Sequence, residues 1–250
     1  MKSDFKFFFY FSRVKKAQVL KKKILKKYKQ HNIKNANLIV VFGGDGFMLH
    51  SIQKFYKYKK PFFGINCGNF GFLLNEFNSL NLEKEIKKTK IELIHPLKAD
   101  IKNAFGKTKL IAINEFSFLR QTKQTSNLKV FVNNKIFLNK LIGDGLIIST
   151  PIGSTGYNFS AGGPILKINS NKISLMPLNP FRSKYRKGKI FNDKSIFRIT
   201  NKRSDRPISI TGDNKEIRNL SYAKIYCEKK INILLMLNKN RNFLKKINSN

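Results

Sequence analysis

The stretch "VVFGGDGFMLH", Val40–His50, decides how the N-terminal part of this chain is read. The apolar run that enters it, "NLIVVF" from Asn37 to Phe42, shows no polar alternation. That is the pattern of a strand buried on both faces of a parallel sheet. The run breaks into Gly43-Gly44-Asp45-Gly46, and a short helical pattern follows from about Phe47 to Tyr58. Glycines after a buried strand let the backbone turn tightly and leave amide N–H groups free to point at an anion. A helix starting there adds a favourable dipole. The tetrapeptide therefore fits a phosphate cradle with Asp45 at its mouth, acting as a base or a metal contact. It fits equally an ordinary strand-to-helix turn with Asp45 as the N-cap. It is neither a Walker A loop nor a GxGxxG fingerprint.

Upstream, "FKFFFYF" reads as a first strand. Val14, Ala17, Leu20, Ile24 and Tyr28 then recur at helical spacing through a lysine-rich segment that reaches Gln30. Downstream, "PFFGIN" reads as a third strand, ending in the glycine-spaced "CGNFGFL". Strand and helix alternating in this way predict an α/β layer with a parallel sheet over residues 1–95. From about Ile91 the texture changes. "IELIHPLKADIKNA", "KLIAINEFSFLR", "NLKVFVNNKIFLNK", "GLIIST", "KISLMPL", "SIFRIT", "PISITG" and "AKIYCEKKINILLML" read as successive strands. Turn signals such as Asn133-Asn134 and Thr211-Gly212-Asp213-Asn214 separate them. The expected organisation is an α/β domain over 1–95, a mostly β domain over 96–237, and a tail over 238–250 that forms a last helix returning to the first domain or frays.

The chain has 250 residues, 41% of them hydrophobic, enough for one large domain or two modest ones. No apolar run approaches the roughly 20 residues needed to span a bilayer. Lys6 interrupts the apolar N-terminus and no small-residue cleavage site follows, so no signal peptide is expected. Cys67 and Cys227 lie far apart without CxxC spacing, which implies neither a disulfide framework nor a zinc site. A cytoplasmic protein is expected. The net charge of +36 admits an anionic partner. Yet the lysines are dispersed, and asparagine, isoleucine and phenylalanine are abundant too, as codon-driven drift would give.

Two further features carry chemistry. "GDGLIISTPIGSTGYNFSAGGP", Gly143–Pro164, runs from a glycine turn with Asp144 through an apolar strand into a dense group of hydroxylated and small residues. Hydroxyls at a fixed strand end suit ribose and phosphate recognition, and the glycines would let a ligand approach the backbone. Asn114-Glu115 interrupts the apolar "LIAINEFSFL". Burying such a pair without partners is costly, so either one residue faces solvent or both meet a polar ligand at a domain interface.

In their order and spacing, "GGDG", "GINCGNFGFL", "NE" and "GDGLIISTPIGSTGYNFSAGGP" closely resemble the NAD kinases, from about Leu38 to about Asp213. The resemblance implies a Rossmann-like α/β domain joined to a mostly β, β-sandwich-like domain that binds NAD. It implies transfer of a phosphoryl group from ATP or polyphosphate to the 2′-hydroxyl of the adenosine ribose of NAD, with a divalent metal, Mg²⁺, whose ligands the motifs do not identify. It also implies a homo-oligomer, dimer or tetramer, with nucleotides as partners and neither nucleic acid nor membrane.

By matching position, Asp45 resembles the catalytic aspartate, and Gly43, Gly44 and Gly46 resemble the phosphate-facing turn, with Asp45 and Gly46 also touching substrate. Asn114 and Glu115 match the pair that holds the dinucleotide, and Asp144 the acidic residue beside its nicotinamide end. Thr155, Gly156, Tyr157, Asn158, Phe159 and Ser160 match the stretch lining the NAD site. Asp45 would then stand on one side of a two-domain cleft. The chain departs from the common pattern at Phe47, at Gly156 and at "ITGDNKEI", where many relatives carry a DGQ-like turn. "MPLNPFRSKYRKGKIF" lacks a histidine common among them. His50, one helical turn beyond Asp45, faces either the site or solvent. The competing readings are another GGDG-type kinase acting on lipid or sugar, and a basic nucleic-acid-binding protein with vestigial site residues.

Overall fold

The computed structural model describes residues 5–69, 71–181, 186–201, 203 and 205–239, divided between two units: residues up to Ile94 with those from Asn232 onward, and His95–Ile231. In the first unit, β1 (Phe7–Phe11) leads into α1 (Lys15–Lys27), β2 (Leu38–Gly43), α2 (Asp45–Phe55), β3 (Phe62–Asn66), α3 (Leu82–Lys87) and β4 (Thr89–Ile94). Strands β1, β2 and β3 are parallel neighbours, as the unbroken apolar runs predict. Every residue of β2 is buried. Its Leu38, Val40 and Phe42 join Phe7, Phe9, Ala17 and Ile24 in one core with Leu20 and Tyr28 packed against it, so the helical spacing faces the sheet from Ala17 onward, while Val14 is exposed.

The sheet is completed from far along the chain. Ile233–Asn238 returns as a strand, parallel to β3 and antiparallel to β4, giving the order β1, β2, β3, returning strand, β4. Asn75 stitches this return. Its amide donates to the Gly64 and Met236 carbonyls, and its oxygen accepts the Asn238 N–H. These residues belong to the α/β unit, whereas sequence reading placed everything up to residue 237 in the β domain. The physical reason is edge pairing: a strand pairs wherever an open edge offers backbone partners, and apolar pattern alone does not name the edge. The expected last helix or frayed tail lies, beyond Lys239, outside the described residues.

The second unit comprises β5 (Leu97–Asn103), β6 (Gly106–Ala112), β7 (Glu115–Arg120), β8 (Ser126–Val132), β9 (Lys135–Gly143), β10 (Gly145–Ser149), the short helix α4 (Tyr157–Ser160), β11 (Lys172–Leu178), β12 (Lys189–Asn192), β13 (Phe197–Asn201), β14 (Ile208–Gly212), β15 (Lys215–Ile217) and β16 (Leu220–Cys227). They form two six-stranded sheets, ordered β12-β11-β10-β7-β14-β15 and β6-β5-β16-β13-β8-β9. Phe116, Phe118, Leu146 and Ile148 of the first sheet share a core with Leu97, Leu128, Phe197 and Ile225 of the second, which makes the unit a β-sandwich.

Three runs read as single strands are each broken in two. "IELIHPLKADIKNA" breaks at His95–Pro96, where the chain leaves one unit for the other. "AKIYCEKKINILLML" breaks before the returning strand. "KLIAINEFSFLR" breaks at Ile113–Asn114, where the chain leaves the β5–β6 sheet for the β7 sheet.

Candidate active site

In the α/β unit the buried strand β2 ends at Gly43, Gly44 is the N-cap of α2, and Asp45 is its first residue. Asp45 is therefore not the cap. Its carboxylate turns away from its own helix and accepts the backbone N–H groups of Phe72, at 2.6 Å, and Leu73, at 2.9 Å. The Gly43 carbonyl accepts the Cys67 N–H at 2.8 Å, so the strand end and the segment after β3 are tied together twice.

The three glycines differ. A Cβ on Gly43 would lie 2.7 Å from the Phe47 ring, whereas Gly44 and Gly46 have open space in that direction. Gly43 is thus a packing glycine, with the Phe47 ring where a side chain would stand. Phe47 also stacks on Tyr10 with ring centroids 4.9 Å apart, and the Lys54 ammonium donates to the Tyr10 hydroxyl. Its departure from the common pattern is absorbed by an aromatic partner on β1. His50 is exposed.

In the β-sandwich unit, the Ile113–Asn114 link is held on both sides. The Asp213 carboxylate accepts the N–H of Ile113 and of Asn114, each at 2.8 Å. Thr150, just past β10, donates its N–H to the Asn114 carbonyl and its hydroxyl to that of Ile113. The Thr150 hydroxyl also accepts the Gly153 N–H, which joins this link to the "GSTGY" turn. The side chains beside this backbone are less satisfied. Asn114 Oδ1 and Glu115 Oε2 are buried and have no hydrogen-bond partner among the described residues. Burial pushes the Glu115 carboxyl up to about 7, and the nearby Asp213 carboxylate adds to the rise.

The "GSTGYNFSAGGP" block divides by direction. Tyr157 and Phe159 are exposed. The Tyr157 hydroxyl titrates above its ordinary value, through burial first and then the Asp144 and Glu115 carboxylates. Ser160 is exposed, Gly156 passes beside Asn114 and Glu115, and the Thr155 hydroxyl donates to the Ile152 carbonyl.

Asn158 points the other way. It is fully buried, its amide donates to the Ser154 and Pro164 carbonyls, and its oxygen accepts the Ser174 hydroxyl. Every side-chain group of Asn158 is thus engaged inside the protein, where it supports the loop. At two of the glycines the Cβ direction is filled by protein. A Cβ on Gly153 would fall 2.3 Å from the Asn114 carbonyl oxygen, and one on Gly163 would fall 2.5 Å from the Asn158 side chain.

Asp144 lies in a cleft of about 500 Å³ with Arg120, Tyr157, Ser160 and Asn179. The Asn179 amide donates to one of its oxygens at 2.6 Å and the Arg120 guanidinium to the other at 2.5 Å. Those hydrogen bonds, from Asn179 first and Arg120 second, hold the Asp144 carboxyl below the usual carboxylate range. Arg120 carries no signal of a site role in the sequence, whereas Thr150 belongs to its hydroxylated cluster and Asp213 stands in the departing "ITGDNKEI" turn. Asn179 carries one usable signal, because "PLNP" brackets a non-glycine residue at φ 43.

Among the described residues no group of three or more His, Cys, Asp or Glu side chains could hold a metal ion.

The sequence matches the ATP-NAD kinase N-terminal domain family over residues 3–91 and the ATP-NAD kinase C-terminal domain family over residues 113–226. The NAD kinase of Zymomonas mobilis is 36% identical over 229 residues, covering 90% of this chain and 89% of that protein. The NAD kinase of Rickettsia prowazekii is 36% identical over 220 residues, covering 87% and 86%. Among solved structures, an NAD kinase from Archaeoglobus fulgidus in complex with ATP superposes with a TM-score of 0.76 at 24% identity, covering 98% of each chain. Yeast NADH kinase complexed with NADH gives a TM-score of 0.74 at 22% identity, covering 92% of this chain and 75% of that one. These two likenesses establish the fold.

Proposed function

The chain belongs to the NAD kinase family, and from that premise we propose which of its residues perform the reaction. The protein is an NAD kinase, which transfers a phosphoryl group to the 2′-hydroxyl of the adenosine ribose of NAD to make NADP. The observation that best supports its binding residues is the pair of buried acceptors without partners, Asn114 Oδ1 and Glu115 Oε2. Buried polar atoms of this kind are costly unless a ligand pairs with them. A nucleoside, with ribose O–H and adenine N–H donors, supplies what both lack. Gly156, Tyr157, Ser160 and Asp144 extend the same binding surface, with the Tyr157 ring as an exposed face for stacking.

Asp45 is the group assigned to the proton. The two N–H bonds from Phe72 and Leu73 hold its carboxylate in a single orientation, and each oxygen keeps a further lone pair. It accepts the proton of the 2′-hydroxyl as the ribose oxygen forms its bond to the γ-phosphorus and the bond to the departing ADP oxygen breaks. The open space over Gly44 and Gly46, at the start of an 11-residue helix, suits the donor's phosphates. Mg²⁺, when bound, neutralises phosphate charge. Transfer of this kind depends chiefly on positioning and charge stabilisation.

ATP is the proposed donor, with polyphosphate the alternative. Nucleotides are the proposed partners, a homo-oligomer the proposed assembly and the cytoplasm the proposed compartment. Two free cysteines agree with that compartment, and no helix among the described residues is long and apolar enough to cross a membrane. No relative reported above favours the lipid-kinase, sugar-kinase or nucleic-acid reading. The test is the purified full chain with NAD, Mg²⁺ and each donor in turn. NADP formed with ATP is the expected result, and no NADP with any donor overturns the assignment.

A further inference from the structure

We propose that Asp213 is a positioning residue for this reaction: its carboxylate clamps the backbone of the Ile113–Asn114 link and thereby aims the Asn114 and Glu115 side chains at the dinucleotide. This rests on the reading that those two side chains hold NAD. The need for a clamp follows from the fold. Between β6 and β7 the chain leaves one sheet of the sandwich for the other. Backbone N–H groups at such a crossing lose their ladder partners, and leaving them unpaired is costly. Asp213 supplies both missing acceptors at 2.8 Å, one oxygen to each N–H. Its own N–H donates back to the Glu115 carbonyl at 3.3 Å, so the clamp closes on both sides of Asn114. Thr150 satisfies the two carbonyls of the link from the opposite side. The Ile113–Asn114 dipeptide, which carries one member of the binding pair and directly precedes the other, therefore has its four backbone polar groups in use.

The position is built for this task. Asp213 follows Gly212 at the β14–β15 hairpin and takes φ 50, a left-handed conformation that Asp and Asn tolerate better than most residues. A Cβ on Gly212 would lie 2.6 Å from the Phe116 ring, so the strand is seated against β7 and the hairpin tip is delivered to the β6–β7 link. The charge of Asp213 also reaches Glu115. The ionisable groups facing Glu115 are Asp213 from the β14–β15 turn and Tyr157 from α4, with Asp144 acting on Tyr157 in turn.

The test compares Asp213→Asn, Asp213→Ala and Asn114→Ala in the full chain. It uses steady-state kinetics in NAD and in ATP, the pH dependence of kcat/KM for NAD, and thermal melting. Asn keeps the left-handed backbone and one acceptor, so Asp213→Asn carries the test if Asp213→Ala fails to fold. The expected result for Asp213→Asn is a rise in KM for NAD of about tenfold, the loss of about one charge-assisted hydrogen bond. KM for ATP should stay within about twofold under the same reasoning. The acid-side inflection of kcat/KM for NAD should move to lower pH, because the repulsion that helps raise Glu115 is gone. The rise in KM for NAD reports the clamp, and the shift of the inflection reports the Asp213 charge. Unchanged KM for NAD overturns the proposal, whatever the inflection does. So does a parallel loss in both substrates that tracks a lower melting temperature. An unchanged KM for NAD in Asn114→Ala removes instead the reading beneath the proposal, so the two failures are told apart.

Discussion

Gly153 lies against Asn114 so closely that a Cβ on it would sit 2.3 Å from the Asn114 carbonyl oxygen. The obstacle is backbone, held in turn by the Thr150 N–H, and has no flexible end to swing away. Gly153→Ala should therefore cost on the order of 1–3 kcal/mol, as overpacked interiors do. It should also raise KM for NAD by displacing Asn114. Thermal melting and NAD titration of the variant check both effects, and a melting temperature equal to that of the parent protein refutes the first.

Asp45→Asn removes the proton acceptor while keeping one oxygen toward the Phe72 and Leu73 N–H groups. The expected loss in kcat is about 10²–10⁴-fold, the usual contribution of a general base. Stability should fall by only about 1 kcal/mol, the net value of one hydrogen bond. Measured kcat within tenfold of wild type would show that Asp45 is not the base.

Glu115 predicts a pH effect with a definite sign. Its folded-state value, about 7, is above the ordinary 4.5, so the folded state binds more protons between these values. Stability contributed by this group is present below about pH 4.5 and is lost as pH rises toward about 7. In the absence of nucleotide, Glu115→Gln should therefore be more stable than the parent protein at pH 8, by about 3 kcal/mol at most. Below pH 4.5 the two should nearly coincide. Denaturant melts across pH 4 to 8 measure the difference, and a gap independent of pH contradicts the prediction.

Arg120 and Asn179 hold Asp144 at the wall of the cleft, in a pair about one-third exposed on each side. Exposed ion pairs contribute about 0–1 kcal/mol, so Arg120→Ala and Asn179→Ala should melt close to the parent protein. Losing either hydrogen bond should raise the Asp144 carboxyl toward its ordinary range, with the larger change from Asn179→Ala. If Asp144 binds substrate, as proposed, both variants should weaken NAD binding while leaving KM for ATP near its original value. Isothermal titration with NAD separates these outcomes.

Gly46→Ala should leave the fold untouched, because nothing lies within 4 Å of the added Cβ. A raised KM for ATP in that variant, with an unchanged melting temperature, would place the donor's phosphates over this turn. Gly43→Ala should instead lower the melting temperature, since its Cβ meets Phe47 at 2.7 Å. An identical melting temperature for the two variants would contradict the division made between these glycines.

Sequence by itself determined most of the strands and the two longer helices, but not α3, β12 or β15. The unbroken apolar run "NLIVVF" and the helical spacing of the Val14–Gln30 segment are local patterns, in which side chains report their own burial. It also determined the family, because "GGDG", Asn114-Glu115 and the block around Tyr157 stand in a fixed order. Only the tertiary structure decided partners. Periodicity says that a strand has a buried face but not which edge it joins, so pattern alone places Ile233–Leu237 with the β domain although they complete the α/β sheet. It says that Asn158 is polar but not that Ser154, Pro164 and Ser174 engage it from inside. The clamp on the Ile113–Asn114 link comes from Asp213, 100 and 99 positions away along the chain. A carboxylate that distant leaves no local trace, because its hydrogen bonds depend on how two sheets stack rather than on the spacing of neighbours.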